Sequence, residues 1–458
     1  MASAQSKSKL DCIVIGAGFA GIAAAIQLCL AGRRVLLLEN RGYSGGRVRS
    51  FRESLTGEDI DNGQHLLMGA YRHTLPLLDS LGTSHLLRPQ ERMRVVFVDA
   101  DGRSNALDSR GWPGAAGMAR AILGLGGLSA GDKLRALTFA ARLRLGAQFT
   151  DHATIRSLLK AQGQSDALIT RFWEPMVLAT MNAAVDEAAP EPFLNVLRRA
   201  FLGSSQDMLL FFPAAGLSEL VAPLEDFLSA RGSQMLTGAS VERLLIEGGA
   251  VRGVALKSGE RFLARSVISA VPARALGRLL ASHADMFPAR LHQAVASTRY
   301  SPIVSVYLWF DRDFLEHDFV AMLGTQTQWV FNRRRLCPAD EAIRYKYPGH
   351  LTLTVSAADD FCERPADDIA AHCVAELRAA FSGAATAQLL HAKVIKEKMA
   401  TFRLSTDYDE LRPAATTPLA GFYLAGDWTS TALPATIEGA AQSGVAAADL
   451  AISGLGQG

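Results

Sequence analysis

The segment Gly16-Ala17-Gly18-Phe19-Ala20-Gly21 spaces its glycines as a backbone must if it is to close around a pyrophosphate. Gly16 permits a tight turn, Gly18 leaves the chain bare where a phosphate approaches, and Gly21 lets the next helix lie close to the preceding strand. A helix that begins there offers unpaired N–H groups and the positive end of its dipole to an anion. Glu39 stands 18 residues beyond Gly21 and is followed by Asn40. A carboxylate at that position accepts hydrogen bonds from ribose hydroxyls and disfavours a 2′-phosphate. The chemistry is dinucleotide binding.

Such a motif needs a strand before it and a helix behind it. Cys12-Ile13-Val14-Ile15 reads as the strand, residues 22–31 as the helix, Gly32 as its stop, and Arg34 to Leu38 as a second strand ending at Glu39. Residues 12–32 carry no charge and follow Lys7 and Lys9, so length and hydropathy alone would also suit a membrane span or a signal core. The glycine placement decides for strand, turn and helix. FAD and NAD share this motif. A second glycine-rich turn with arginine, Ser44-Gly45-Gly46-Arg47-Val48-Arg49-Ser50, favours FAD, the longer cofactor.

At 458 residues the chain is long enough for two or three domains. Hydrophobic residues make up 49% and charged residues 20%, which is ordinary globular usage. A net charge of +2 gives no support for a nucleic-acid partner. Cys12, Cys29, Cys337, Cys362 and Cys373 are scattered, without disulfide or zinc spacing, and read as free thiols of a reducing cytoplasm. No metal site is expected, and no Ser/His/Asp order stands out.

The sequence resembles the superfamily of flavin-containing amine oxidases and carotenoid desaturases. The glycine motif, the acidic strand end and the Gly45-Gly46-Arg47 turn occur there in this order, and the far end of the chain agrees with Phe422 to Thr429, Pro434 to Ala440 and Ser443-Gly444. By resemblance Gly426-Asp427 binds the ribityl chain, and Thr436, Ile437, Glu438 and Ala440 set a helix start against the flavin pyrimidine. A helix N-terminus suits the anionic edge of a reduced flavin. Within the superfamily the squalene-associated FAD-dependent desaturases, the hydroxysqualene dehydroxylases, resemble this chain most. Asp61-Asn62-Gly63-Gln64-His65, Tyr71-Arg72, Phe172-Trp173-Glu174-Pro175, Lys398 to Thr401 and Arg412-Pro413 carry that likeness, which is weakest between about 100 and 150.

The implied fold class is α/β: a discontinuous Rossmann-type FAD-binding domain (1–95, 206–272 and 396–458) and an α+β substrate domain (96–205 and 273–395). Gln234 to Pro272 reads as a β-meander with a turn at Gly248-Gly249. The resemblance brings the Val241 backbone to the adenine, though the residue itself reads equally well as an ordinary strand position. The substrate domain combines a helical block over 96–205 with strands at Ile303 to Phe310 and Leu351 to Val355 and a helix over 367–381.

The resemblance further implies reductive removal of an allylic hydroxyl from hydroxysqualene, giving squalene for squalene and hopanoid biosynthesis. Reduced FAD would give hydride from N5 to carbon, and the protein must supply an acid and exclude water. His65 is the leading acid candidate, with a purely hydrogen-bonding histidine as the alternative; Glu174 and Asp61 follow. Trp173, Phe172, Trp329 and Phe331 are candidates to face a delocalised cation, or else core. A carotenoid-type desaturase acting on a long polyene is the second reading. An amine-type oxidase falls, since no lysine and aromatic pair can be identified, and a non-enzymatic FAD module is a third class. Leu134, Leu137, Ala141 and Leu145 recur at helical spacing among Lys133, Arg135, Arg142 and Arg144. Residues 112–149 therefore read either as a helix packed on the domain or as an interfacial helix in anionic lipid. The expected partners are an apolar C30 isoprenoid and an electron donor the sequence does not name. The expected location is the cytoplasm, peripheral to the membrane.

Overall fold

The computed structural model describes residues 10–456. Two seven-stranded sheets organise the chain. In the first, Leu10–Ile15 pairs in parallel with Val35–Leu38 on one side and Arg261–Ser269 on the other, and Phe422–Leu424 joins Arg261–Ser269. Apolar residues on both faces of these strands are covered by helices, as a parallel sheet requires. The helices Phe19–Leu30 and Ile437–Gly456 pack together so closely that a Cβ on Gly444 would lie 2.0 Å from the Ala20 carbonyl oxygen. A chain end far away in sequence thus completes the nucleotide fold.

Val241–Glu247, Ala250–Leu256 and Arg261–Ser269 form the antiparallel meander. Gly248 and Gly249 turn it with φ of 58° and 73°, the pair of positive angles a two-residue hairpin needs. Gln234–Leu236 is not part of it. That segment pairs in parallel with Val35–Leu38 at the opposite edge of the sheet, extending the Rossmann order.

The second sheet runs in the order Leu389–Phe402, Tyr300–Phe310, Gly349–Ser356, Trp329–Asn332, Phe319–Leu323, Arg94–Asp99, Ser104–Asp108. Arg94–Asp99 and Leu389–Phe402 span the expected domain limits at 95/96 and 395/396, so these two limits fall inside strands. The segment 96–205 is also not a purely helical block, because Arg94–Asp99 and Ser104–Asp108 are paired strands and the helices begin at Gly114. Strand alternation gives this sheet two different faces. Val304, Val306 and Leu308 pack under the helix Ala366–Ala380, while Ser305, Tyr307 and Trp309 face the first domain.

Between the sheets lies a buried polar seam. Glu58 pairs with Arg334 and accepts from Trp309 Nε1 at 2.5 Å; Asp61 pairs with Arg333 at 3.0 Å. Burial alone would raise the Glu58 pKa, but Arg334 and His350 outweigh it and hold the carboxyl well below its usual range. Both pairs fasten the hairpin Ser50–Arg52/Asp59–Asp61, and hence the loop that follows it, to the second sheet.

Residues 112–149 form two helices, Gly114–Gly124 and Ala130–Arg144, with Ser129 capping the second. The buried stripe of the second helix is Ala136, Phe139 and Leu143. The expected stripe points elsewhere: Leu137 is half-buried, whereas Leu134 and Leu145 are exposed. Among the described residues no helix is long and apolar enough to cross a membrane.

Candidate active site

One cavity of about 1250 Å³ runs from the carboxyl ends of the first sheet to the face of the second that looks toward the first domain. Its nucleotide end is built from two glycine turns in contact. Gly45 N–H donates to the Ala17 carbonyl at 2.8 Å, and a Cβ on Gly46 would stand 3.0 Å from Gly18 Cα. Gly16 has φ of 100°, and a Cβ on Gly21 would sit 1.8 Å from the Gly16 oxygen, so Gly21 serves packing and does not line the cavity. Gly18 differs. The only atom near its absent Cβ is Gly46 Cα at 4.0 Å, and it heads the helix Phe19–Leu30 with no side-chain cap. Bare backbone donors beside open space fit a diphosphate.

Glu39 is buried at the cavity wall, its two oxygens accepting from Ala17 N–H and Arg41 N–H at 2.8 Å each. Those bonds fix the carboxylate and leave each oxygen a lone pair for a ribose. Asn40 and Val241 line the same end. Gly426 has φ of 138° and donates to Ser443 Oγ at 2.8 Å. Asp427 meets Arg47 at 2.7 Å, joining residues from both ends of the chain. Arg412 holds this loop by donating to the Asp427 carbonyl, Thr431 Oγ1 and the Leu433 carbonyl. In the sequence the only signal of Arg412 is the Arg412-Pro413 likeness, which assigns it no role.

The last helix presents its start to the cavity through Thr436, Ile437, Glu438 and Ala440. Thr436 Oγ1 accepts from Gly439 N–H at 3.0 Å, which leaves the first-turn N–H groups ahead of the helical ladder. The Glu438 carboxylate is otherwise engaged: it accepts from His73 and Thr74 N–H and from Thr74 Oγ1, docking the helix Thr74–Leu81. What it could offer a cofactor is therefore its backbone.

Gly63, Gln64 and His65 line the cavity where the two ends meet. Gln64 Nε2 donates to the His65 carbonyl, and no side-chain hydrogen bond engages the His65 ring among the described residues. The imidazole is half-buried in the cavity wall, and its burial pushes its pKa below the ordinary 6.5; Asp61 opposes the shift and Arg47 adds to it. The ring is neutral at neutral pH. Of the other acid candidates, Asp61 is committed to Arg333, Ser50 and the Leu217 N–H. Glu174 does not line the cavity; burial raises its pKa, with Arg156 opposing.

The wall also carries many apolar side chains, Met93, Val95, Phe97, Phe201 and Met208 joined by Phe172, Trp329 and Phe331, with Asn182, Arg199 and Glu397 among the polar ones. Trp173 is not among them. Its indole donates to Gln164 Oε1 at 3.0 Å, and its ring packs edge-on with Phe139 and Phe193 in the core. No cluster of metal ligands occurs among the described residues.

The fold and this cavity define an FAD-dependent oxidoreductase: a Rossmann-type domain whose glycine turns open onto a large, mostly apolar cavity. The chain belongs to the family of flavin containing amine oxidoreductases, whose pattern matches residues 19–452. It is similar to hydroxysqualene dehydroxylase of Rhodopseudomonas palustris, with 29% identity over 96% of this chain and 98% of that protein. It is also similar to a 15-cis-phytoene desaturase of Glycine max, with 25% identity over 97% of this chain and 79% of that one. An oxidoreductase structure from Methanosarcina mazei shares the fold, with a TM-score of 0.74, 19% identity, and coverage of 95% of this chain and 99% of that one.

Proposed function

We propose that this protein removes the allylic hydroxyl of hydroxysqualene to give squalene. The observation that carries the reading is the cavity itself: two glycine turns open onto a long, mostly apolar wall, with His65 in the lining and its ring unpartnered among the described residues. The overall change breaks a C–O bond, adds hydride to carbon and a proton to oxygen, and releases water. FAD, when bound and reduced, supplies the hydride from N5. The glycine turns, Glu39, Arg47 and Asp427 would hold it, the apolar wall would lay the isoprenoid alongside and exclude water, and His65 would protonate the departing oxygen. A separate electron donor must reduce the flavin each turnover. Similarity to a phytoene desaturase supports the second reading, oxidation of a long polyene in the same chamber.

Anaerobic reduction in deuterated buffer followed by addition of hydroxysqualene tests this. Squalene should form with one deuterium at the former carbinol carbon, because flavin N5 exchanges with solvent before transfer. Product without that label would rule out hydride delivery. Inert reduced enzyme together with oxidised enzyme that desaturates phytoene would establish the second reading.

We also propose that the protein docks on the cytoplasmic face of an anionic membrane, from which such a substrate would enter. Trp112, Leu123, Leu134 and Leu145 are between 54% and 86% exposed and belong to one short stretch that carries Lys133, Arg135, Arg142 and Arg144. Apolar side chains left in solvent beside basic ones suit an anionic bilayer surface. Arg142→Glu with Arg144→Glu should weaken binding to vesicles containing phosphatidylserine by roughly 30-fold or more, since each basic residue contributes about 1 kcal/mol. Equal sedimentation of the folded variant and wild type would refute the docking.

A further inference from the structure

Three tyrosines line the cavity, and two have arginines beside them. Tyr43 Oη accepts from Arg41 and Arg49 at 3.0 and 3.1 Å, and the Tyr300 hydroxyl lies in the field of Arg47 and Arg274. Tyr71 differs. Its hydroxyl has no hydrogen-bond partner among the described residues and reaches open cavity space instead of packed protein. Its ring packs against Met68, Ala70 and Ala200, in the apolar part of the wall.

Every neighbour in the turn that carries Tyr71 is fixed. A Cβ on Gly69 would lie 1.8 Å from the Gln206 oxygen, and Gly69 and Ala70 donate to the Leu209 and Asp207 carbonyls. Arg72 pairs with the buried Asp207 carboxylate, which also accepts from Ser204. His73 and Thr74 are bound by Glu438. The ring is thus clamped from both sides while its one polar atom stays free. Burial and the nearby Glu438 carboxylate push the phenol well above its ordinary pKa, so it keeps its proton. A rigid, neutral O–H in an apolar chamber complements a ligand that is hydrocarbon except for one oxygen.

We propose that Tyr71 binds the hydroxyl of the substrate and so makes the site prefer an isoprenoid alcohol over the parent hydrocarbon. This assignment rests on the dehydroxylase reading above. It gives Tyr71 the binding of oxygen and leaves proton transfer to His65.

The test uses oxidised FAD-loaded protein, which cannot turn over, titrated with hydroxysqualene and with squalene and read by perturbation of the flavin spectrum. Wild type should bind the alcohol about tenfold more tightly than the hydrocarbon, the size of one net hydrogen bond. Tyr71→Phe keeps the ring and should erase that preference, with squalene affinity, FAD content and thermal midpoint unchanged. Tyr71→His, which returns a donor of shorter reach, should recover part of it. A wild type with no preference for the alcohol overturns the proposal whatever the variants do. Equal weakening of both ligands, or an unchanged preference in Tyr71→Phe, also overturns it. Loss of FAD in the variant would assign Tyr71 to the flavin instead. If labelled squalene forms in the deuterium experiment and Tyr71→Phe keeps its preference, this assignment alone fails. If only phytoene is converted, the dehydroxylase reading fails and takes this one with it.

Discussion

Gly18→Leu should purify as a folded, colourless protein that cannot be reconstituted with FAD, whereas wild type should be yellow and release FAD on denaturation. Gly18 has φ of −78° and ψ of 176°, extended values that leucine adopts without strain. A Cβ there meets nothing closer than 4.0 Å, so the added side chain enters the cavity and not the protein. As the residue heading a helix, leucine costs about 1 kcal/mol relative to a better cap, too little to unfold a domain. The same side chain fills the space that a diphosphate needs and hides the N–H groups that would bind it. We expect FAD affinity to fall by at least about 10³-fold, on the order of two or three lost charge-assisted hydrogen bonds. Flavin absorbance of the purified variant and calorimetric titration with FAD measure it; a Gly18→Leu protein that retains stoichiometric FAD contradicts the site. Gly21→Val is the contrasting control. Its Cβ would collide with the Gly16 oxygen, so that variant should lose stability along with flavin.

The second large effect is at His65. His65→Ala should lower turnover of hydroxysqualene by about 10²–10⁴-fold, the usual contribution of a positioned general acid, with FAD content intact. A loss below tenfold removes His65 from that role, and a loss of FAD makes it a binding residue. The pH dependence gives an independent check. Burial holds the His65 pKa below 6.5, so the protonated, donating form grows only as pH falls through that lowered value. Turnover by wild type should therefore rise on the acid side of 6.5 and level off, and His65→Ala should lack that limb. Stability runs the other way. Below pH 6.5 the unfolded chain takes the proton more readily than the folded one, so this residue costs stability as pH falls toward its folded pKa. The alanine variant should lose less of its thermal midpoint over that interval than wild type.

What the sequence determined by itself is local, or depends on backbone that tolerates few residues. The strand, glycine turn, helix and Glu39 fall within about thirty positions, and each glycine stands where a side chain would strike backbone or take phosphate space. The Gly248-Gly249 hairpin was legible for the same reason. Gly63, Gln64, His65, Asp427 and Thr436 were placed by likeness, and tertiary structure brings them to the one cavity that Gly18 also faces. Tertiary structure alone decided where distant partners meet. Nothing near Arg412 says that its guanidinium holds the loop after Gly426, and nothing near Glu438 says that its carboxylate docks a helix more than 350 positions earlier. The phase of the helix Ala130–Arg144 was ambiguous because alanine and leucine populate more than one stripe; the packing of Phe139 against Phe149 and Trp173 chose the buried one. Trp173 and Phe172 adjoin in sequence, yet one enters the core and the other the cavity, since neighbours on a helix point in different directions. Tyr71 was legible only as part of a likeness. Its role depends on a partner being absent, and only folded neighbours can reveal that.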